Sequence, residues 1–291
     1  MLNHDQQPEP RLWERRPWDN DFLELRLGIG STVPGFTVRA PTPPRDAAPD
    51  RRIYALQQQY ATLTGVPVSV PVARLGSLGL AGPQEARDAL LRALIWQVVT
   101  LHAPNEVRLA FVGPPEHIEE WAWLRWLDHT IPLSNEPGQR LRMVASEPRS
   151  ITTMLSTLLD EFSRRRDRTT QARAKREPLP IFPTILLIVI GSKQLQSQPL
   201  LVEVMRAGAA YQMLLVCVED RWEELPGDCA AMVDVNAAGE VRIALAGAAW
   251  STERCIADVA TLELSDKLAR CLAGIRLIQD GARQELPRNR S

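Results

Sequence analysis

The stretch from residue 75 to residue 113 constrains the fold most, because strand and helix patterns alternate there in a fixed order. A glycine-bearing apolar strand leads into a helix pattern, and a second apolar run, Val107–Val112, follows and ends at Gly113. Between the strands, apolar residues recur at three- or four-residue spacing, on one face of an amphipathic helix: Ala86, Leu90, Leu94, Val98 and Leu101. This βαβ pattern predicts an α/β fold, a mainly parallel twisted sheet flanked by helices.

The turn before this helix lies where a nucleotide-binding fold holds phosphate, but the required residues are missing. A P-loop has the form G-x-x-x-x-G-K-[ST], with a lysine for charge and a hydroxyl for magnesium. Here Pro83 has no backbone N–H to donate to a phosphate, and Glu85 adds a negative charge where the phosphate would lie. We therefore interpret the turn as a degenerate nucleotide site, formed by Gly79, Gly82, Pro83, Gln84 and Glu85.

The most apolar run, Thr184–Ile190, predicts a central strand covered on both faces. In an ATPase such a strand ends in the carboxylate that binds magnesium or activates water. Here Ile190 and Gly191 stand at its end, so they complete the degenerate site. The sequence thus predicts a nucleotide-binding topology without catalytic residues and without a cofactor.

Composition excludes several other functions. The net charge is −1, so no overall field favours nucleic acid or an acidic membrane. The four cysteines form no CxxC pair and the four histidines are scattered, so we predict no metal site. We expect the cysteines to be buried thiols in a reducing environment. The basic run Arg164–Glu177 suits a solvated helix end or an anionic partner, but no aromatic residues interleave for base stacking. We expect no nucleic-acid partner. No apolar run reaches about 18 residues, so we expect no direct membrane insertion by this chain.

Two tryptophan-bearing segments are candidates for a partner surface, and each has two interpretations. The N-terminal segment either covers a strand edge, with its arginines paired to aspartates, or docks a partner. The predicted helix Glu116–His129 either buries a wide face or presents indoles to a neighbour. The candidate surface residues are Trp13, Arg15, Arg16, Asp21, Phe22, Trp121, Trp123 and Trp126.

The remaining patterns divide the chain into residues 1–72, an N-terminal extended or β-rich subdomain with its connector, residues 73–280, the α/β domain, and a polar tail, 281–291. Predicted strands are Phe22–Leu27 closed by Gly28 and Gly30, Val33–Val38, an edge strand Val66–Val72, Leu141–Ser146, Tyr211–Val218, and a hairpin of Met232–Asn236 with Val241–Leu245. Predicted helices are Ile53–Leu63, Ile151–Phe162 capped by Ser150, Leu200–Gly208, and a last helix capped by Ser265.

Several of these segments together resemble the type VII (ESX) secretion ATPases, EccC, of the FtsK/SpoIIIE family. The resemblance is carried by LWERRPWDNDFLELRLGIG at residues 12–30, LGLAGPQEARDALLRALIWQ at 78–97 and WAWLRWLDHT at 121–130. TILLIVIG at 184–191, ELPGDCAAMVDV at 224–235 and LARCLAGIRL at 268–277 support it. The matching region is the family's degenerate ATPase-like domain, between its transmembrane helices and its ATPase modules.

This resemblance implies a non-catalytic assembly or regulatory domain that links a membrane stalk to ATPase modules. It implies a cytoplasmic position at the inner face of the cell membrane, through the parent protein. The implied partners are membrane-complex proteins of a type VII system and the ATPase modules of the same parent. Relatives often end the central strand with aspartate where this chain has Ile190, and the transmembrane pair and active modules are missing, as in a fragment. The alternative is a functional ATP-binding module of a DNA translocase-like motor.

Overall fold

The computed structural model describes residues 12–32, 52, 55, 56, 61–132, 142–246 and 255–275, and these form one sheet with helices on both faces. The strands are β1 Glu24–Thr32, β2 Leu63–Pro71, β3 Ser77–Ala81, β4 Val107–Val112, β5 Val144–Ala145, β6 Thr184–Ile190, β7 Met213–Glu219, β8 Ala231–Val235, β9 Glu240–Leu245 and β10 Cys255–Ala257. The α-helices are α1 Val72–Leu75, α2 Gln84–Leu101, α3 Pro148–Lys175, α4 Pro199–Ala207 and α5 Leu262–Leu272.

The sheet has a parallel half and an antiparallel half. Its strand order is β2-β1-β10-β9-β8-β3-β7-β6-β4-β5. All pairings from β8 through β3 to β5 are parallel, and all pairings from β2 to the β8–β9 hairpin are antiparallel. The α/β class, the central position of β6, the β8–β9 hairpin and the edge position of β2 are confirmed, whereas the sheet as a whole is mixed.

Each face of the sheet carries its own hydrophobic core, because successive strand side chains point to opposite faces. Leu186 and Ile188 of β6 pack with α2 and the tryptophan-bearing segment 115–126. Leu187 and Val189 pack with α3 and α4 on the other face. The βαβ prediction is correct for β3, α2 and β4, but β7 and β6 lie between the two strands.

Helix α2 is buried on more sides than an amphipathic helix would be. Its predicted inner face is buried except for the half-buried Ala86 and Leu101, but Leu91, Ile95 and even Arg92 are buried as well. The cause is a second cover on the outer side. The Trp96 Nε1–H donates to Ser265 Oγ of α5 at 2.9 Å, and Arg92 Nε donates to the Ala260 carbonyl at 2.8 Å.

Two predicted helix caps are wrong. Ser265 lies inside α5, and Thr261 caps that helix by accepting the Leu264 N–H at 3.2 Å. Ser150 lies in the first turn of α3, where its hydroxyl donates to the carbonyl of Glu147, the residue in the cap position. Both helices begin earlier than predicted, at Pro148 in α3 and at Leu262 in α5.

Helix α3 also continues far past its predicted end. It runs through the basic segment to Lys175, because residues 164–175 are mostly good helix formers such as arginine, alanine and glutamine. Arg165 is fully buried within this part. The basic segment is therefore a packed helix and not only a solvated helix end.

The N-terminal strands extend the main sheet. Strand β1 does not close at its glycines: a Cβ at Gly28 would lie 1.8 Å from the Ile256 carbonyl oxygen, so the glycine admits β10 alongside. Leu63 begins β2 and does not end a helix. Strand β5 is shorter than predicted. The predicted strand Val33–Val38, most of the predicted helix Ile53–Leu63 and the tail lie outside the described residues.

Candidate functional site

The loop between β3 and α2 consists of two residues, Gly82 and Pro83. A P-loop has four residues between its glycines, and the backbone N–H groups of this long loop surround the phosphates. A connection of two residues is too short to surround a phosphate. Gly82 has a φ of +143°, and a Cβ there would lie 2.1 Å from the Val235 carbonyl oxygen of β8. This glycine therefore serves close packing against the neighbouring strand.

The first turn of α2 is occupied by side chains of the protein itself. Gln84 Nε2 lies 3.3 Å from His117 Nδ1, and that ring atom lies 3.4 Å from a carboxylate oxygen of Glu120. Glu85 is exposed in the same turn, where a carboxylate interacts favourably with the positive end of the helix dipole. An anionic phosphate would have to displace these groups or be repelled by them.

Arg87 is a cation close to the loop, and it is already paired. Its side chain is buried, its Nε donates to Asp88 Oδ1 at 2.9 Å, and its Nη1 donates to Asp220 at the end of β7. Burial raises the pKa of Asp88, while the neighbouring Arg87 and Arg92 oppose that rise. The guanidinium therefore joins α2 to β7 and leaves little positive charge for a ligand.

The end of β6 carries no carboxylate. Ile190 is half-buried and packs against the core on the α2 side. Gly191 adopts a φ of +75°, and its N–H donates to the Val218 carbonyl at 2.9 Å. The structure thus brings Ile190, Gly191 and the β3–α2 loop to the same C-terminal edge of the parallel strands.

Sequence reasoning missed Glu219, a buried carboxylate at that same edge. It ends β7, the strand between β3 and β6, and its Oε1 accepts the Ser192 hydroxyl at 2.7 Å and the Lys193 N–H at 2.5 Å. The signal was present, since Glu219 directly follows the apolar run of β7. These bonds hold the turn after β6.

Cys217 lies two residues before Glu219 in β7. The Cys229 thiol and burial raise the pKa of Cys217, which keeps it a neutral thiol.

The N-terminal candidate residues are engaged within the chain. The Trp13 N–H and Nε1–H donate to the carbonyls of Thr100 and Val99 at 2.8 and 3.0 Å, and the Arg15 N–H donates to the Leu101 carbonyl at 2.9 Å. They satisfy carbonyls that the end of a helix leaves free. Further contacts are Arg15 with Asp21 at 3.0 Å, Arg16 with Glu106 at 3.0 Å, and the Phe22 ring edge-on to His102.

The second tryptophan group divides between core and surface. It lies on 3-10 turns, Pro115–Trp126, and not on the predicted α-helix. Trp121 and Trp123 are 0% and 2% exposed, with Trp123 stacked on Trp96 and Trp121 against Phe111. The buried-face interpretation applies to both. Only Trp126 of the three reaches the surface, with Arg270 4.8 Å from its ring.

Within the described ranges, no three histidine, cysteine or acidic side chains come together as a metal site would require. Two buried histidines have structural contacts: His102 Nε2 accepts the Leu23 N–H at 3.1 Å, and His129 Nε2 lies 2.8 Å from the His102 carbonyl oxygen. No helix in the described part combines the length and apolarity that crossing a membrane requires.

Sequence comparison finds relatives among secretion ATPases. The chain is 34% identical over 124 residues to the ESX-4 secretion system protein EccC4 of Mycobacterium tuberculosis, covering 41% of this chain and 10% of that protein. It is 28% identical over 151 residues to EccC of Thermomonospora curvata, covering 50% and 12%. It is 21% identical over 233 residues to EssC of Staphylococcus aureus, covering 79% and 16%. The chain thus spans a tenth to a sixth of these relatives. No protein-family model matches the sequence.

Structural comparison also finds EccC and EssC proteins. The cytoplasmic domain of the type VII secretion ATPase EccC of Thermomonospora curvata superposes with a TM-score of 0.56 and 17% identity, covering 91% of this chain and 32% of that one. ATPases 2 and 3 of EssC from Geobacillus thermodenitrificans give a TM-score of 0.57 and 10% identity, covering 91% and 50%. The sequence resemblance is confirmed: the chain is homologous to EccC and EssC secretion ATPases and shares the fold of their ATPase domains.

Proposed function

We propose that this chain, a homologue of EccC and EssC, is a non-catalytic assembly domain of a type VII secretion ATPase. In this role it links a membrane stalk to ATPase modules, on the cytoplasmic side of the cell membrane and through a parent protein. The observation that supports the proposal most is the two-residue connection between β3 and α2, which has the topology of a nucleotide site without its phosphate loop.

The neighbouring contacts support the same proposal. Arg87 is paired with two aspartates, the first turn of α2 carries Glu85, and Glu219 is hydrogen-bonded to the turn after β6. A nucleoside triphosphate needs free cations near the phosphates, and the buried Arg87 beside the loop is already paired within the chain. The C-terminal edge of the sheet is therefore suited to holding elements together.

A second candidate is an ATP-binding module of a DNA translocase-like motor of the FtsK/SpoIIIE type. The observation in its favour is the strand arrangement, which brings the glycine turn, the end of β6 and the buried Glu219 to one edge. This candidate requires phosphate to be held by backbone groups alone.

Titration calorimetry with Mg-ATP and Mg-ADP separates the two candidates. We expect no heat of binding, and no increase in melting temperature at millimolar Mg-ATP. A ligand present at 100 times its Kd would stabilise the fold by about 2.7 kcal/mol, which a melting curve detects easily. The magnesium-free nucleotides serve as the control. A magnesium-dependent Kd in the micromolar range would contradict the non-catalytic assignment.

The proposed partners are the membrane-complex proteins of a type VII system and the ATPase modules of the parent. Trp126 is the member of its tryptophan group that remains available to them, and Arg270 lies over its ring. We expect Trp126→Ala to weaken partner binding about tenfold or more, as loss of a central aromatic contact does. The matched control is Trp222→Ala, which removes an indole of 39% exposure elsewhere. Equal affinities of the two variants would remove Trp126 from the interface.

A further inference from the structure

The second half of α3 and the connection after it carry a surplus of positive charge. Between residues 164 and 181 the exposed side chains include two acids, Asp167 and Glu177, and six bases: Arg164, Arg166, Arg168, Arg173, Lys175 and Arg176. The chain as a whole has a net charge of −1. The positive surplus is therefore local, and the charge of the whole chain does not reveal it.

The cations at the end of this helix are not neutralised by the protein itself. Arg164 and Arg166 are paired with acids of α3 and α4. Among the described residues, no carboxylate lies within 4 Å of the charged groups of Arg173, Lys175 or Arg176. The negative end of a helix dipole is equivalent to about half a charge, so it leaves most of this positive charge unbalanced.

Large apolar side chains project into solvent beside these cations. In the connection after α3, Ile181 is 85% exposed and Leu179 is 53% exposed. Trp18, which is 77% exposed, lines the same surface depression as both of them. Ile181 is the most exposed large apolar side chain in the described part of the chain. Since apolar surface in water is unfavourable, these side chains would gain from contact with an apolar phase.

The charged and the apolar groups form one continuous surface. The guanidinium carbon of Arg168 lies 5.5 Å from the centre of the Phe182 ring. Phe182 follows Ile181 in the chain, and both line the depression that Trp18 borders. Lys175 lies seven residues after Arg168, about two helical turns, so both cations are on the same face of α3. Positive charge and protruding apolar side chains are therefore presented together.

We propose that this surface, the basic end of α3 with Trp18, Leu179 and Ile181, docks on an anionic lipid membrane. Clusters of exposed lysine and arginine attract the headgroups of acidic lipids. Aliphatic and indole side chains beside them enter the boundary between headgroups and acyl chains, where tryptophan is favourable. The contact is at headgroup depth and requires no membrane-spanning segment. It goes beyond the proposed function and does not depend on it.

The exposed aliphatic side chains favour a lipid surface over a nucleic acid. The phosphates of DNA or RNA would attract the cations, but they would leave Leu179 and Ile181 in water. Stacking of bases needs aromatic rings among the cations, and residues 164–177 contain none. An acidic bilayer accommodates both kinds of group in one contact, with anionic headgroups at its surface and methylene groups beneath them.

The test measures cosedimentation of the complete chain with sucrose-loaded vesicles. We expect binding to phosphatidylcholine vesicles that contain about 30% phosphatidylglycerol, and no binding to vesicles of phosphatidylcholine alone. Raising NaCl from about 0.1 M to about 1 M should release the chain from the acidic vesicles, because the Debye length falls from about 10 Å to about 3 Å.

Two pairs of variants locate the contact. Lys175→Gln should weaken binding about fivefold, as loss of one basic residue near an acidic surface does. Its control, Lys267→Gln, removes the same charge from an exposed site on α5, on the other face of the sheet. Ile181→Ser should weaken binding about tenfold. Its control, Leu264→Ser, removes a leucine of α5 that is 46% exposed. Both controls should bind like the unchanged chain, and all four sites are exposed, so folding should be preserved.

Three results would overturn the proposal. Equal binding to neutral and acidic vesicles would exclude recognition of anionic lipid. Losses in Lys175→Gln and Ile181→Ser no larger than in their controls would exclude this surface. Retention of a DNA duplex that Ile181→Ser leaves unchanged, without vesicle binding, would assign the cations to nucleic acid. Vesicle binding is measured independently of the nucleotide calorimetry, so this proposal and the proposed function can fail separately.

Discussion

At the scale of single residues, His102 and His129 join three parts of the chain. His102 bonds to the N-terminal segment through Leu23 and to the end of α2 through Val98, and its carbonyl oxygen contacts His129. Burial lowers the pKa of each histidine to about 4. Both rings therefore stay neutral in the folded protein, and the Nε2 atom of His102 remains an acceptor.

These histidines predict that acid destabilises the fold. In the unfolded chain both histidines are protonated below about pH 6.5, whereas in the folded chain they are protonated only below about pH 4. The free energy of unfolding therefore falls as pH falls from 6.5 to 4. The slope approaches about 1.4 kcal/mol per pH unit for each histidine. Urea unfolding between pH 7.5 and 5 measures it, and His129→Gln should remove about half of the slope. An unchanged slope in that variant would contradict the assignment.

At the scale of elements, the basic half of α3 is stabilised by one buried ion pair. Arg165 Nε donates to Glu161 Oε1 at 2.8 Å, with the arginine side chain 1% exposed and the glutamate 15%. Some outer arginines of the same helix contact acids at the surface, for example Arg166 with Glu203. Arg165 Nη1 also donates to the Tyr211 and Gln212 carbonyls, just before β7, so this arginine adds polar contacts to the apolar packing of α3 on the sheet.

We predict that Glu161→Gln destabilises the protein by about 3 kcal/mol, because it leaves a buried guanidinium without its counter-charge. The control is Glu203→Gln, whose partner Arg206 is largely exposed and which should cost about 1 kcal/mol or less. Chemical denaturation of both variants measures the difference. Equal costs would mean that the carbonyl bonds of Arg165 alone compensate its charge.

Elements were predictable where periodicity alone decides them. The strands β3, β4 and β6 follow from short, mostly apolar runs, and the helix α2 follows from apolar residues at three- or four-residue spacing. The cap of α5 was not predictable, because threonine and serine are equally good cap residues. Only the contact of Ser265 with Trp96 shows that the serine is buried inside the helix and that Thr261 is the cap. Trp121 and Trp123 were ambiguous for a similar reason: sequence does not show that Trp96 and Phe111 pack against them.

At the scale of the whole molecule, the sheet order was the part that sequence could not supply. Glu219 lies beside the degenerate loop only because β7 is placed between β3 and β6, a long-range arrangement without a local signal. The absent lysine and the residue at the end of β6 were readable directly. The length of the loop could not be predicted from the sequence. Gly79 could have belonged to the turn, but the structure places it in β3.

The same sheet order bears on the boundary predicted at residue 72. Strand β1 lies between β2 and β10, and the Asp258 N–H donates to the Leu27 carbonyl at 2.8 Å. We therefore predict that the N-terminal strands and the α/β part unfold in one transition. Hydrogen exchange of β1 and β6 measures this, and comparable protection is expected. Loss of protection in β1 at denaturant concentrations that leave β6 protected would show two independent units.

The two-residue loop has a consequence for how such a domain works in a cell. Gly82 is packed against β8, so no single substitution to lysine would rebuild a phosphate cradle there; residues would have to be inserted. On the proposed function, the domain keeps one shape at any ratio of ATP to ADP. Its contacts with neighbouring domains would then be the same before and after ATP hydrolysis in the ATPase modules.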